Sequence, residues 1–119
     1  MDAPWRVTIG EGSFVNARCV FHTSNGNCEI KIGCNCDIAP EVMFMCTTHA
    51  IGDESRRAGR LLHNSISIGD GCWIGTRAVI LPGVSVGDGC VIAAGAIVTK
   101  SLPHNVLIGG CPASVIKKL

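Results

Sequence analysis

Aromatic residues are scarce in this sequence, which has three Phe, two Trp and no Tyr among 119 residues. Helical and sandwich cores normally rely on large side chains such as Leu and Phe. Together with the 15 glycines, this scarcity indicates a core built from small residues. The chain also lacks a strong charge of either sign, because its formal net charge is +1 and its basic residues form no stripe. We therefore do not expect nucleic acid as a partner.

Long apolar runs are absent as well. The longest, Val91–Val98, is far shorter than the ~20 residues that a membrane-spanning helix needs. The first residues, MDAPWRV, lack a charged leader followed by an apolar segment. We expect a cytoplasmic protein that does not contact a membrane. Its length predicts a single domain, residues 1–119, too small to be very stable unless it associates with other copies.

An aliphatic or aromatic residue recurs at every sixth position in three stretches of the chain. The twelve positions are Ile9, Val15, Phe21, Ile32, Ile38, Phe44, Ile68, Ile74, Ile80, Val86, Ile92 and Val98. The residue two places before each is nearly always small or β-branched, so both positions are predicted to point inward. Glycine directly follows five of the twelve, where we expect it to supply a positive φ at a corner.

A period of six fits neither an α-helix nor a long alternating strand. It fits a coil in which each hexad forms one short strand and one corner, with successive coils stacked as parallel β-structure. The sequence therefore predicts a parallel β-helix of roughly four to five coils. The pattern alone does not determine its handedness.

Eight cysteines in a short chain can indicate a disulfide or zinc framework. Four of them, Cys19, Cys36, Cys72 and Cys90, occupy the inward position two places before the repeat residue. No C-x-x-C pair is present. We therefore interpret these four as small buried apolar residues and expect no metal site.

The repeat fails between Phe44 and Ile68, where the inward positions would fall on Glu54, Arg56 and Arg60. Burying these charges unpaired is costly, so residues 50–65 are predicted to leave the coil as an extended loop. His49 immediately precedes this loop. Loops that extend from a rigid scaffold often carry functional residues.

The hexads IGEGSF, IGCNCD, IGDGCW, IGTRAV, VGDGCV and IAAGAI resemble those of the hexapeptide-repeat acyltransferases. Maltose and galactoside O-acetyltransferases are the most similar group. This resemblance implies an all-β, left-handed parallel β-helix with one extruded loop and a short C-terminal helix or tail at about 102–119. It also implies a homotrimer. Those enzymes carry an N-terminal helical segment that is not seen here, so we expect either a minimal member or a fragment.

The stretch TTHAIGDESRRAG is similar to the family segment in which a histidine precedes the extended loop. By this resemblance His49 is the general base, which removes a proton from an acceptor hydroxyl. Asn16 matches a position that helps to hold the acceptor hydroxyls, and Arg56 matches a loop arginine that either orders the loop or contacts the acceptor. Two simpler interpretations stay open, since Asn16 could cap a turn and Arg56 could be a solvated charge.

The resemblance also places the pantetheine arm and the phosphates of acetyl-CoA in a groove between adjacent subunits. The matching positions are Trp73, Thr76, Ala94, Thr99, Lys100 and Lys117. A lysine near a phosphate has an electrostatic reason. Alternatively, Lys117 and Lys118 form a solvated pair of charges at the C-terminus.

The sequence thus predicts an acetyl-CoA-dependent O-acetyltransferase that modifies a sugar-like small molecule by direct transfer. Two alternatives remain. One is a xenobiotic (antibiotic) or amino-sugar N-acetyltransferase, and the other is a non-catalytic trimeric binding or scaffold module. A zinc enzyme of the γ-carbonic anhydrase type is disfavoured, because the four histidines lack the H-x-x-x-x-H spacing of those enzymes.

Overall fold

The computed structural model describes all residues from Met1 to Leu119. It consists of short strands, with a 3₁₀ turn at Pro4–Arg6. It contains no helix with the length and apolar character needed to cross a membrane. In chain order the strands are β1 Val7–Ile9, β2 Phe14–Val15, β3 Val20–His22, β4 Ile30–Ile32, β5 Asp37–Ile38, β6 Met43–Met45, β7 Thr47–Ile51, β8 Ala58–His63, β9 Ile66–Ile68, β10 Trp73–Ile74, β11 Val79–Ile80, β12 Ser85–Val86, β13 Val91–Ile92, β14 Ile97–Val98, β15 Val106–Gly110 and β16 Ala113–Lys118.

The strands form three parallel sheets, and each full turn of the chain contributes one strand to each sheet. The first sheet has the order β1-β4-β9-β12, the second β2-β5-β10-β13-β15 with β16 at its edge, and the third β3-β6-β11-β14. Val79 pairs with Ile97 and Ile80 with Val98, so each coil is three hexads long. The structure is therefore a three-sided parallel β-helix, which confirms the architecture predicted from the repeat.

The repeat residues form the core. Ten of the twelve are buried, and they belong to one cluster of 23 buried residues. The rings of Phe21 and Phe44 stack with centroids 4.8 Å apart. The two exceptions, Ile9 (41% exposed) and Val15 (half-buried), lie in the first coil. They have a neighbouring coil on one side only, as expected for a stacked repeat.

The five glycines that follow repeat residues do not have the positive φ that the sequence predicted. They are Gly10, Gly33, Gly69, Gly75 and Gly87. The positive φ occurs instead three places after the repeat residue, for example at Gly71, Gly95 and Arg77. The five glycines are required for another reason. A Cβ at Gly75 would lie 2.5 Å from the backbone nitrogen of Ala94, and the other four would meet backbone atoms of the next coil at similar distances.

The inward cysteines stack in a column. Cys36, Cys72 and Cys90 are buried, and each thiol donates to a carbonyl oxygen of the next coil, at S···O distances of 3.1, 3.2 and 3.0 Å. Ser13 occupies the same place in the first coil, and its hydroxyl makes the equivalent bond at 2.6 Å. Cys19 is half-buried, and all eight cysteines are free thiols. The prediction of buried cysteines holds fully for three of the four positions.

The predicted extended loop is a β-hairpin rather than irregular chain. Strands β7 and β8 pair antiparallel, with Thr47 opposite His63. The excursion thus begins before residue 50, and His49 lies within the hairpin instead of just ahead of it. Thr47, Thr48 and Ile51 are β-branched residues that favour extended chain, which the search for a six-residue period could not detect.

The C-terminal segment contains no helix. The predicted helix or tail at 102–119 begins with a bridge from Leu102 to Val86 and continues as a strand hairpin. Strand β15 extends the second sheet in parallel, and β16 returns antiparallel to it. The Val and Ile residues of this C-terminal segment favour strands over a helix.

The N-terminus is tied to the corner between β3 and β4. Asp2 Oδ1 accepts hydrogen bonds from the backbone N–H and the hydroxyl of Thr23, at 2.9 and 2.7 Å, and Oδ2 accepts one from the N–H of Asn25 at 2.8 Å. The Thr23 N–H, more than any other group, holds the pKa of Asp2 well below its usual range. Ala3 is buried beside this contact.

Candidate active site

The hairpin that carries His49 projects from the corner between the third and first sheets. Its base is closed by a hydrogen bond from the N–H of Asn64 to the carbonyl of Cys46, at 3.0 Å. The register shifts between His49, which faces Leu61, and Ile51, which faces Ala58. This irregularity alters the local direction of β7 beside the histidine.

His49 Nδ1 lies 3.0 Å from the carbonyl oxygen of Gly59 on the facing strand. A carbonyl can only accept, so Nδ1 must carry the proton in this contact. In the neutral ring Nε2 then keeps a free lone pair. The imidazole is exposed and oriented, as a general base requires.

An open cleft of about 630 Å³ surrounds this imidazole. Its lining residues are His49, Gly52, Asp53, Ser55, Arg56, Ala58, Gly59 and Leu61. The Asp53 carboxylate accepts bonds from the hydroxyl and N–H of Ser55, and these donors lower the pKa of Asp53. Arg56 enters into none of the ion pairs of the chain. The structure thus brings Arg56, a predicted acceptor residue, into the cleft of His49.

A second cavity, a groove of about 520 Å³, runs along the second sheet and the corner that follows it. Its lining is mostly apolar and comprises Ala39, Trp73, Gly75, Thr76, Val91, Ile92, Ala93, Ala94 and Leu107. Three predicted cofactor residues, Trp73, Thr76 and Ala94, therefore come together here. The Thr76 hydroxyl donates to the carbonyl of Pro40 at 2.7 Å.

The other predicted cofactor residues lie elsewhere in the single chain. Thr99 and Lys100 follow β14, on the corner from which the His49 hairpin projects two coils earlier. Lys117 is on β16, where it pairs in register with Leu107 of the groove. Lys100 and Lys117 are both exposed. Within one chain the predicted cofactor residues thus form two groups. The groove group consists of Trp73, Thr76, Ala94 and Lys117. The hairpin group consists of Thr99 and Lys100, which lie on the corner that carries the His49 hairpin.

Asn16 follows β2 at the same corner as the groove, in the first coil. Its side-chain N–H donates to the carbonyl of Ile38 in the second coil at 3.0 Å, so the side chain links the first coil to the second. Its Oδ1 makes no hydrogen bond within the chain. Within one chain it belongs to the groove group, away from His49.

Sequence reasoning missed the partner of His49. Gly59 acts through its backbone carbonyl, and no side-chain pattern signals such a role. The antiparallel pairing that brings it to His49 could have been suspected only from the β-branched residues of β7. No group of three or more His, Cys, Asp or Glu side chains is placed to hold a metal ion.

Residues 65–100 match the family model described as the hexapeptide repeat of succinyl-transferase. The galactoside O-acetyltransferase of Escherichia coli K12 is 44% identical over 90 residues, which is 76% of this chain and 44% of that protein. The crystal structure of a maltose O-acetyltransferase from Clostridium difficile 630 superposes with a TM-score of 0.86 at 38% identity, covering 97% of this chain and 60% of that one.

A hexapeptide-repeat acetyltransferase from Vibrio cholerae, solved in complex with acetyl coenzyme A, gives a TM-score of 0.87 at 32% identity. This match covers 96% of the present chain and 61% of the other. The chain therefore spans between 44% and 61% of the length of these three relatives.

Proposed function

Because the chain belongs to the hexapeptide-repeat transferase family, we propose that it is an acetyl-CoA-dependent O-acetyltransferase acting on a hydroxyl of a sugar-like small molecule. The observation that carries the proposal is the contact between His49 Nδ1 and the Gly59 carbonyl. That contact leaves Nε2 free to accept a proton inside an open cleft. The similarity to galactoside and maltose O-acetyltransferases supports a sugar-like acceptor.

The groove has the character that the pantetheine arm of acetyl-CoA requires. Its small residues Gly75, Ala93 and Ala94 leave room for a thin chain, and Trp73 and Leu107 supply apolar walls. Lys117, beside Leu107, is available for the negatively charged phosphates. When bound, acetyl-CoA would supply an acetyl group activated as a thioester.

His49 is proposed to act as base and then as acid. Its Nε2 takes the proton of the acceptor hydroxyl while the hydroxyl oxygen bonds to the acetyl carbon. As the carbon–sulfur bond breaks, His49 returns that proton to the departing sulfur. The products are an acetyl ester and a free thiol, and no acyl group is attached to the protein. The Gly59 carbonyl stabilises the imidazolium that exists between the two proton transfers.

A homotrimer would join the two separated groups of residues. The outer side of the third sheet is apolar, formed by Val20, Met43, Val79 and Ile97 in register. The outer side of the first sheet is polar, formed by Thr8, Lys31, Ser67 and Ser85. An apolar outer side beside a polar one favours association through the apolar side. We infer that the His49 hairpin of one copy faces the groove of the next, around coils that are left-handed as the family resemblance implies.

The proposal is tested by titrating the purified oligomer with acetyl-CoA in a calorimeter and by following thiol release with neutral sugars, amino sugars and simple alcohols. We expect one acetyl-CoA per chain and thiol release that depends on the acceptor, with a product heavier by one acetyl group. Absence of binding at millimolar acetyl-CoA would contradict the proposal and leave a non-catalytic trimer as the better interpretation.

A further inference from the structure

A row of three outward side chains crosses the second sheet below the groove. Phe14, Asp37 and Trp73 are Cα partners on the neighbouring strands β2, β5 and β10. Neighbouring strands lie about 4.8 Å apart, so the Asp37 carboxylate stands between two aromatic rings. Phe14 is 60% exposed and Trp73 58% exposed, and Asp37 is exposed as well. Exposed apolar groups that lie together beside a polar group often mark a ligand-binding or interaction site.

Asp37 has no compensating partner in the chain. Its carboxylate takes part in none of the ion pairs, and its backbone N–H makes only the ladder bond to Cys72. Glu41, which follows on the next corner, is instead held between Arg18 and Arg77 at 3.2 and 2.7 Å. The row therefore presents one uncompensated negative charge, flanked by two exposed aromatic side chains.

Aromatic faces attract cations because the ring quadrupole places negative potential above and below the ring. A carboxylate between two rings adds a full charge and a hydrogen-bond acceptor at the same point. A protonated amine above Asp37 gains from all three groups, whereas a neutral sugar ring gains only stacking and a hydroxyl hydrogen bond. We propose that Phe14, Asp37 and Trp73 form a subsite for a protonated amino group, and that the acceptor is an amino sugar or another amino-bearing polyol.

The subsite borders both parts of the proposed active site. Trp73 also lines the groove, and Asn16 follows Phe14 at the end of the same strand. Asp37 and the hairpin of His49 belong to the same coil, so copies that pack with parallel axes bring them to the same height. A protonated nitrogen has no lone pair with which to attack, so the transfer would occur at a hydroxyl of the same molecule. The identification of the bound amine as the acceptor rests on the proposed function, whereas the binding of an amine at the subsite does not.

Binding is tested with the intact oligomer in a Trp5→Phe background, in which Trp73 is the single tryptophan. Tryptophan fluorescence is followed at mildly acidic pH during titration with glucosamine, N-acetylglucosamine or glucose. We expect glucosamine to bind about 10-fold more tightly than the two neutral sugars. Asp37→Asn is expected to abolish that preference. Glu11→Gln, which removes the charge of an exposed carboxylate outside the row, is expected to keep it.

Equal binding of the three sugars, or an unchanged preference in Asp37→Asn, would overturn the subsite. The thiol-release assay, run with the same sugars, separates this result from failure of the enzyme assignment. Preferential binding without thiol release from any acceptor would support the subsite and contradict the proposed function. Thiol release at equal kcat/KM for glucosamine and glucose, without preferential binding, would contradict the subsite and support the proposed function.

Discussion

His49 Nδ1 is 3.0 Å from the Gly59 carbonyl oxygen, and that distance depends on the absence of a side chain at Gly59. A Cβ there would lie 2.8 Å from the carbonyl oxygen of Ala50 and 3.0 Å from the nitrogen of Gly52. Gly52 is equally crowded, with its own Cβ position 2.4 Å from the Arg56 carbonyl. The two glycines let the strands of the hairpin approach closely enough for the Gly59 carbonyl to fix the tautomer of His49.

Gly59→Ala should therefore lower kcat by about 10- to 100-fold, because a displaced carbonyl no longer holds the imidazole in position. Nitrogen NMR of the histidine ring should show a mixture of tautomers in place of one. Arg60→Ala, at an exposed neighbouring position, should leave both measurements unchanged. Wild-type kcat and a single tautomer in Gly59→Ala would show that this hydrogen bond does not orient His49.

The division of the proposed site between subunits predicts complementation. Ala94→Trp obstructs the groove and His49→Ala removes the base, so each pure variant should be nearly inactive. Co-refolding equal amounts should restore about a quarter of the wild-type activity, because that share of boundaries pairs an intact His49 with an intact groove in a cyclic trimer. Mixtures that stay as inactive as the separate variants would contradict a shared site.

Much of the fold was predictable because its main determinant is local. Each hexad buries its own repeat residue. The spacing of Ile74, Ile80 and Ile92 therefore predicts the coil even when the residues of the neighbouring coils are not considered. The hairpin of β7 and β8 was only predicted as an excursion. Its strands pair with each other and not with the core, so burial left no periodic signal in them.

The candidate site was predictable only where a side chain carries the chemistry. His49 and Trp73 stand out by residue type and by resemblance, whereas the carbonyl of Gly59 has no signature in the sequence. The separation of Asn16 from His49 is a property of the three-sided coil. It could be recognised only after each residue had been assigned to a corner.

Burial of the cysteines predicts their reactivity. Desolvation raises the pKa of both Cys46 and Cys72 to about 12, and the thiolate is the nucleophilic form. A disulfide reagent at pH 8 should react rapidly with Cys34 and Cys111, the exposed pair, and more slowly with half-buried Cys19. The remaining thiols should react only after unfolding. Rapid reaction of more than three thiols in the native protein would contradict the burial of the other five cysteines.

The carboxylate of Asp2 should stabilise the first coil. Asp2→Ala removes the acceptor of three hydrogen bonds, and we expect a loss of about 1–3 kcal/mol in the free energy of unfolding. Because the pKa of Asp2 is lowered in the folded state, this contribution is complete above the ordinary aspartate pKa of about 3.9. It disappears as the pH falls through the folded value.

Thermal unfolding of wild type and Asp2→Ala should thus differ by a constant amount near neutral pH. The difference should shrink only in strongly acid solution. Glu54→Ala, at the exposed tip of the hairpin, serves as the control and should unfold like wild type at every pH. An Asp2→Ala protein as stable as wild type near neutral pH would show that the N-terminus does not support the coil.

The most direct test of acetyl transfer with His49 as general base compares kcat for thiol release in wild type, His49→Ala and His63→Ala. His63 lies on the partner strand of the same hairpin and is likewise exposed, so its replacement controls for loss of a hairpin imidazole. We predict that His49→Ala lowers kcat by about 10²- to 10⁴-fold, with acetyl-CoA affinity unchanged and His63→Ala fully active. Full transferase activity in His49→Ala would contradict this mechanism.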